Sequence, residues 1–178
     1  MKLLDIVKQC CWRTGDNAVS NVFADEDNAR EWLGYISQAL PLIVREHDWS
    51  MLTKDAIITT KDDTKAYMLP QDFNHMASNR LYNQTDRCHI AFANNDAELA
   101  KIVSGDTSQT SVRFRIMGGK IVFTYPIEAK QKIYYTYISS YAVIDENGNE
   151  KETFTSNEDQ FMLNDELLIL KAIALRAV

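Results

Sequence analysis

His47-Asp48-Trp49-Ser50-Met51-Leu52-Thr53, running on through Ile57-Ile58-Thr59-Thr60 to Tyr67-Met68-Leu69-Pro70-Gln71-Asp72-Phe73, is where the pattern of this 178-residue chain changes. Upstream, apolar residues recur at intervals of three and four. Downstream, β-branched and aromatic residues come in short extended runs. The stretch carries no reaction chemistry and reads as a junction between a helical and a β-rich part.

On the helical side, Ala29, Trp32, Leu33, Ile36, Leu40, Ile43 and Val44 form one apolar stripe, the signature of an amphipathic helix. Asp25-Glu26-Asp27 supplies an acidic start, favourable at the positive end of the helix dipole. Pro41 removes the hydrogen bond to the Ser37 carbonyl and predicts a kink. Before this helix, Leu3, Leu4, Val7 and Cys11 predict a first helix, stopped by Gly15 in a left-handed cap. After it, Ile57–Thr60 and Ala66–Leu69 predict a hairpin across Lys61-Asp62-Asp63-Thr64, ended by Pro70. Short strands are predicted near Met76–Leu81 and Cys88–Phe92, and a short helix near 95–104, capped from Asn94-Asn95-Asp96 and stopped near Gly105.

The strongest β signal follows. Val112, Phe114 and Ile116 alternate with Arg113, Arg115 and Met117. Gly118-Gly119 provides two positive-φ turn positions, and Ile121, Phe123 and Tyr125 return. Ile133–Ile138 is a strand with large side chains on both faces, either internal or facing a partner. Asn164 or Asp165 caps a last helix, apolar nearly all round from Leu167 to Val178. The expected fold is α+β, a helical bundle with a β-rich antiparallel insertion. The chain reads as a single domain over 1–178, with the bundle in 1–50 and 160–178 and the insertion in 51–159.

Composition is that of a globular protein, 46% hydrophobic and 25% charged. Met1-Lys2-Leu3-Leu4 is followed at once by Asp5 and Lys8, which argues against a secretory leader. The apolar Leu163–Val178 stretch falls short of the roughly 20 residues of a spanning helix, so no membrane association is expected. Three cysteines in no ligand-like spacing give neither a disulfide framework nor a metal site, and buried or half-buried free thiols are expected. A formal charge of −6 argues against a nucleic-acid-binding module. That charge is uneven: residues 101–132 hold six basic and two acidic residues, and 145–166 hold eight acidic residues against Lys151. Opposite local charges suit contact between copies.

Catalytic signatures are weak. His47, His75 and His89 lie in no local nucleophile motif, and neither G-x-G-x-x-G nor a P-loop is present. The carboxylate clusters Asp25–Asp27 and Glu158–Glu166 sit at helix starts, where capping explains them; a glycosidase, the competing reading, would use one such pair across a cleft. Catalytic, cofactor-binding and metal residues are all expected to be none. The candidate interface residues are Trp49, Arg113, Arg115, Lys120, Tyr134 and Ile138.

The order of motifs carries more than any one of them. Asp48-Trp49, Ile58-Thr59-Thr60 and Tyr67-x-Leu69-Pro70-x-Asp72-Phe73 come first. Phe114-Arg115-Ile116-x-Gly118-Gly119-x-Ile121-x-Phe123 with Pro126 and Tyr135-x-Tyr137 follow, and Phe161–Leu170 opens the last helix. Over roughly 25–178 this resembles the head-to-tail connector (portal adaptor) proteins of tailed bacteriophages, in particular the tail accessory factor family. The resemblance implies a structural virion protein at the head–tail junction, assembled in the host cytoplasm. It implies a homo-oligomeric ring of about twelve copies between the portal protein and a tail or nozzle protein, with genomic DNA passing through without sequence-specific binding. Some members of the family are linked to peptidoglycan hydrolysis, so a cell-wall hydrolase carried in the virion is the alternative. In the adaptor reading Trp49 seals the bundle against the β-rich part.

Overall fold

The computed structural model describes residues 1–94, 97, 100 and 111–177. The chain divides into two compact units, one of Met1–Leu52 with Ser139–Val178 and the other of Thr53–Ile138. Residues 139–159, assigned from sequence to the β-rich insertion, therefore belong with the helices. The short helix expected near 95–104 falls largely outside the described residues.

The first unit holds α1 (Leu3–Thr14), α2 (Asp27–Glu46) and α3 (Asp165–Arg176), of 12, 20 and 12 residues. It also holds a small antiparallel sheet in which β9 (Val143–Ile144) lies between β10 (Glu150–Lys151) and β11 (Gln160–Phe161). Gly15 ends α1 at φ 79°, as its position predicts. The start of α1 has no side-chain cap; the amides of Leu3 and Leu4 donate instead to the carbonyls of Asp159 and Asn157 at 2.7 and 3.2 Å, which satisfies donors a helix leaves open. Helix α2 runs unbroken through Pro41. Its stripe of Ala29, Trp32, Ile36, Leu40, Ile43 and Val44 is buried, joined by Ala39. Asn164 caps α3 by accepting from the Glu166 amide at 2.9 Å. That helix is less enclosed than its composition suggests: only Leu168, Ile169 and Ala172 are buried, and Leu170 is 52% exposed.

The second unit is built on an eight-stranded sheet. In chain order its strands are β1 (Thr53–Thr59), β2 (Ala66–Met68), β3 (Phe73–Met76), β4 (Arg80–Asn83), β5 (Cys88–Phe92), β6 (Arg113–Met117), β7 (Lys120–Phe123) and β8 (Lys132–Ser139). The spatial order is β1-β8-β4-β5-β6-β7-β2, with β3 also paired to β8. Its end strands, β1 and β2, are joined only by residues 60–65. Seven strands laid flat would hold them about 29 Å apart at ~4.8 Å per strand, whereas that connection spans at most about 25 Å fully extended. The sheet therefore curls and nearly closes, in the manner of a barrel.

One set of alternate residues fills the interior: Ile58, Leu81, Ile90, Phe114, Ile121, Phe123, Ile133, Tyr135 and Tyr137. The registers Ile58↔Ile133, Leu81↔Ile90, Phe114↔Phe123 and Ile116↔Ile121 keep that parity across the strands. Polar groups close the two ends. At one, the Asn83 amide donates to Gln131 at 2.6 Å, and the Gln131 amide donates to the Thr60 hydroxyl at 2.9 Å. At the other, Asp72 accepts from Lys54 at 2.7 Å and from the Tyr137 hydroxyl at 2.9 Å.

This architecture corrects the expected fold. It is not a helical bundle with an antiparallel insertion: the three helices among the described residues share their unit with a sheet, and the larger sheet is a mixed, nearly closed one. Strands β5 and β6 run parallel, an arrangement that needs a connection of a dozen or more residues, and residues 93–112 between them are long enough to supply it. The hairpin predicted between Ile57–Thr60 and Ala66–Leu69 does not form either. Strand β1 pairs with β8 over all seven of its residues, and β2 pairs with β7. A three-residue β2 could not offer β1 a ladder of comparable length.

Candidate functional site

The feature of the sheet unit best suited to function is its outer face. The residues between the core positions point there, and the strand registers line them up. Across β2, β7 and β6, Met68, Lys120 and Met117 stand side by side; the next row is Ala66, Val122 and Arg115, and Arg113 follows opposite Thr124. Met68 is 70% exposed and Met117 39%. No acidic residue occurs in these three strands. Arg115 is half-buried, and its Nη1 is out of solvent with no hydrogen-bond partner among the described residues. A second row crosses the far half of the sheet, where Ile57, Tyr134, Tyr82 and His89 are successive neighbours. Ile57 is 56% exposed, and the Tyr82 and His89 rings lie 5.2 Å apart. The Asp55 carboxylate beside the Tyr134 hydroxyl raises that phenol's pKa.

Of the six residues proposed from sequence, Arg113, Arg115 and Lys120 share one face of one hairpin. Tyr134 is on the same sheet, three strands from β6. Ile138 is fully buried and offers nothing to a partner. Trp49 belongs to the other unit and is half-buried; its indole N–H donates to the Ile43 carbonyl at 2.9 Å and its ring meets His47 edge-on at 5.4 Å. It thereby satisfies one of the carbonyls left open in the last turn of α2. Sequence reasoning placed Met117 on the Arg113 face by alternation but missed Met68 and Ile57, whose neighbours only the strand order supplies.

Nucleophilic chemistry finds little support in this geometry. Cys88 and His89 are consecutive in a strand, so their side chains leave opposite faces. Both border a cleft of about 510 Å³ that Asn83, Asp86, Glu128 and Gln131 also line, but Asn83 there is committed to Asp86 and Gln131. Cys88 is exposed rather than buried, contrary to the expectation for the three thiols, whereas Cys10 and Cys11 are buried. Burial pushes the Cys10 thiol up to about 12, which leaves it protonated and unreactive. Among the described residues no group of three or more His, Cys, Asp or Glu is arranged to hold a metal.

The acidic run 145–166 is largely occupied within the helical unit. Glu158 pairs with Lys2 at 2.5 Å, Asp165 with the N-terminal amine at 2.6 Å, and Glu166 with Arg13 at 2.6 Å. Asp159, 1% exposed, meets Lys151 at 2.7 Å and accepts from the Thr155 and Ser156 amides at 2.6 and 2.9 Å. Burial alone would raise the Asp159 carboxyl, but the ammonium and the two amides outweigh it and the net shift is down. Charge is nonetheless divided between the units. The sheet unit carries 11 Lys and Arg against 9 Asp and Glu, and the helical unit 8 against 16. Among the exposed large apolar side chains of the helical unit are Trp12, at 78%, and Phe23, at 42%. No helix among the described residues is long and apolar enough to cross a membrane. No protein-family model matches the chain, and no curated protein matches its sequence.

Proposed function

We propose that this chain is a structural virion protein, a head-to-tail adaptor that assembles as a ring between a portal protein and a tail or nozzle protein and extends the channel for genomic DNA. The observation that carries the reading is the division of charge and of exposed apolar side chains between two units of one chain. A basic sheet face on one unit and an acidic surplus on the other suit a heterologous contact between copies, and heterologous contacts that close give rings. The resemblance of the motif order to phage connector proteins supplies the place of that ring. Net negative charge fits a channel that must let DNA pass without holding its phosphates. The hydrolase alternative draws less support, since Glu158, Asp159, Asp165 and Glu166 are each held in an ion pair.

Mixing the purified protein with the portal and imaging the product tests the proposal. A ring of this protein seated on the portal is the expected result; portal particles that gain no added density overturn it.

A further inference from the structure

We propose that the outer face of β2, β7 and β6 is the docking site for the Phe23–Asp27 segment of a second copy of this chain. The inference rests on the ring reading and specifies the contact that builds the ring. The receiving face combines two exposed thioethers, Met68 and Met117, with the cations Lys120, Arg115 and Arg113 in adjacent rows. Its strands hold no carboxylate, and Arg115 keeps a shielded guanidinium nitrogen that lacks an acceptor among the described residues. Methionine adapts its shape and favours contact with aromatic rings.

The segment has the complementary chemistry in compact order. Phe23 is exposed, and Asp25, Glu26 and Asp27, two to four residues on, are all exposed. The ring is also presented on a fixed turn. The Phe23 amide donates to the Asn21 side chain at 3.0 Å, and the Ala24 amide donates to the Asn21 carbonyl at 3.2 Å. Val22 is buried beside it, its amide bonded to Asn157 at 2.9 Å. Holding the segment in shape before docking lowers the ordering cost of association. Within the segment Asp25 pairs with Arg30 of its own chain, so Phe23 with the Glu26 and Asp27 carboxylates meets two thioethers beside Lys120 and Arg115. Because the two surfaces are different patches of the same chain, each copy can receive one neighbour and dock on another.

The test uses two proteins, Phe23→Cys and Met68→Cys, each made with Cys88→Ser so that the introduced thiol is the exposed one beside the buried Cys10 and Cys11. Mixed with portal at high protein concentration and mildly oxidised, they should form a disulfide-linked heterodimer several-fold in excess of the homodimers of either protein alone. Lys120→Glu should abolish that excess, and Glu26→Lys on the partner should restore it. A mixture that gives no heterodimer above the homodimer level overturns the docking site, as does an excess that survives Lys120→Glu unchanged. Imaging the same samples separates the two proposals. Rings without the heterodimer overturn this contact and leave the adaptor reading standing, whereas the heterodimer without portal-bound rings supports the contact and counts against the portal as partner.

Discussion

The helical unit and the sheet unit use charge in opposite ways. In the helical unit, ion pairs tie distant parts of the chain together: Arg13 reaches Glu166, Lys171 reaches Glu46, and Arg176 reaches both Asp16 and Glu31. Arg176 also lies over the buried Trp32 ring at 4.7 Å, while the Trp32 indole donates to Asp16 at 3.2 Å. These contacts fasten α3 to α1 and α2. In the sheet unit a continuous apolar interior holds the strands together, and Arg115 and Lys120 are left on the outside. A unit assembled from two ends of the chain uses its charges to bring those ends together. A unit made from one unbroken segment has less need of such ties, although Lys54 and Asp72 still pair at one end of its interior.

The largest test of this division is cavity formation in each core. Trp32→Ala and Phe114→Ala should each cost about 3–5 kcal/mol. Hydrogen exchange should show the lost protection confined to the helical unit in the first variant and to the sheet unit in the second. Equal loss across both units in both variants would mean that they unfold as one, and the comparison would lose its energetic content.

Acid should weaken the helical unit through its ion pairs. The Arg176 guanidinium holds the Asp16 carboxyl below its ordinary range, and Arg13 does the same to Glu166. Folded pKa values below the unfolded ones give stability that is complete above the unfolded values, about pH 4. That stability is lost as pH falls through the lower, folded values. Urea midpoints measured from pH 5 downward should therefore drop, and Arg176→Gln should flatten the drop. At the alkaline end the sheet unit responds through Tyr135 and Tyr137, which burial pushes up to about 12. Their contribution is complete below about pH 10 and lost as pH rises toward the folded value, so part of the tyrosine absorbance change should lag behind the rest. Cys10, raised from 9.0 to about 12, adds an alkaline loss on the helical side.

Smaller changes sharpen the local picture. Gly119→Ala, at φ 71° with nothing within 4 Å of an added Cβ, should cost about 1–2 kcal/mol through backbone strain alone and appear as a lower denaturation midpoint. Trp49→Phe removes the bond to the Ile43 carbonyl and should cost about 1 kcal/mol, with faster exchange in the last turn of α2. Lys120→Glu should change stability by no more than about 0.5 kcal/mol, so its effect on assembly would not be one of folding.

Much of the local structure was legible from periodicity and turn chemistry. The α2 stripe, the Gly15 stop, the Asn164 cap and the Gly118-Gly119 hairpin follow from rules acting over a few residues. The hairpin's alternation also placed Arg113, Arg115 and Met117 on one face, the part of the candidate surface that sequence could reach. Ile138 went wrong because period-two alternation assigns a face but not what covers it. Met68 was missed because its neighbour Lys120 lies on a strand more than fifty residues away.

What the sequence determined by itself was the three helices, the β6–β7 hairpin and the parity of its strands, because those depend on side-chain spacing and backbone preferences within one turn or one ladder rung. It did not give β9, β10 and β11, nor the division of the strand predicted near Met76–Leu81 between β3 and β4. The tertiary structure decided which strands pair, that β1 chooses β8 over β2, that β5 and β6 run parallel, and that 139–159 joins the helices. These are competitions between distant segments, settled by ladder length, connection length and the burial of one shared interior. No single stretch of the chain contains the terms of that comparison.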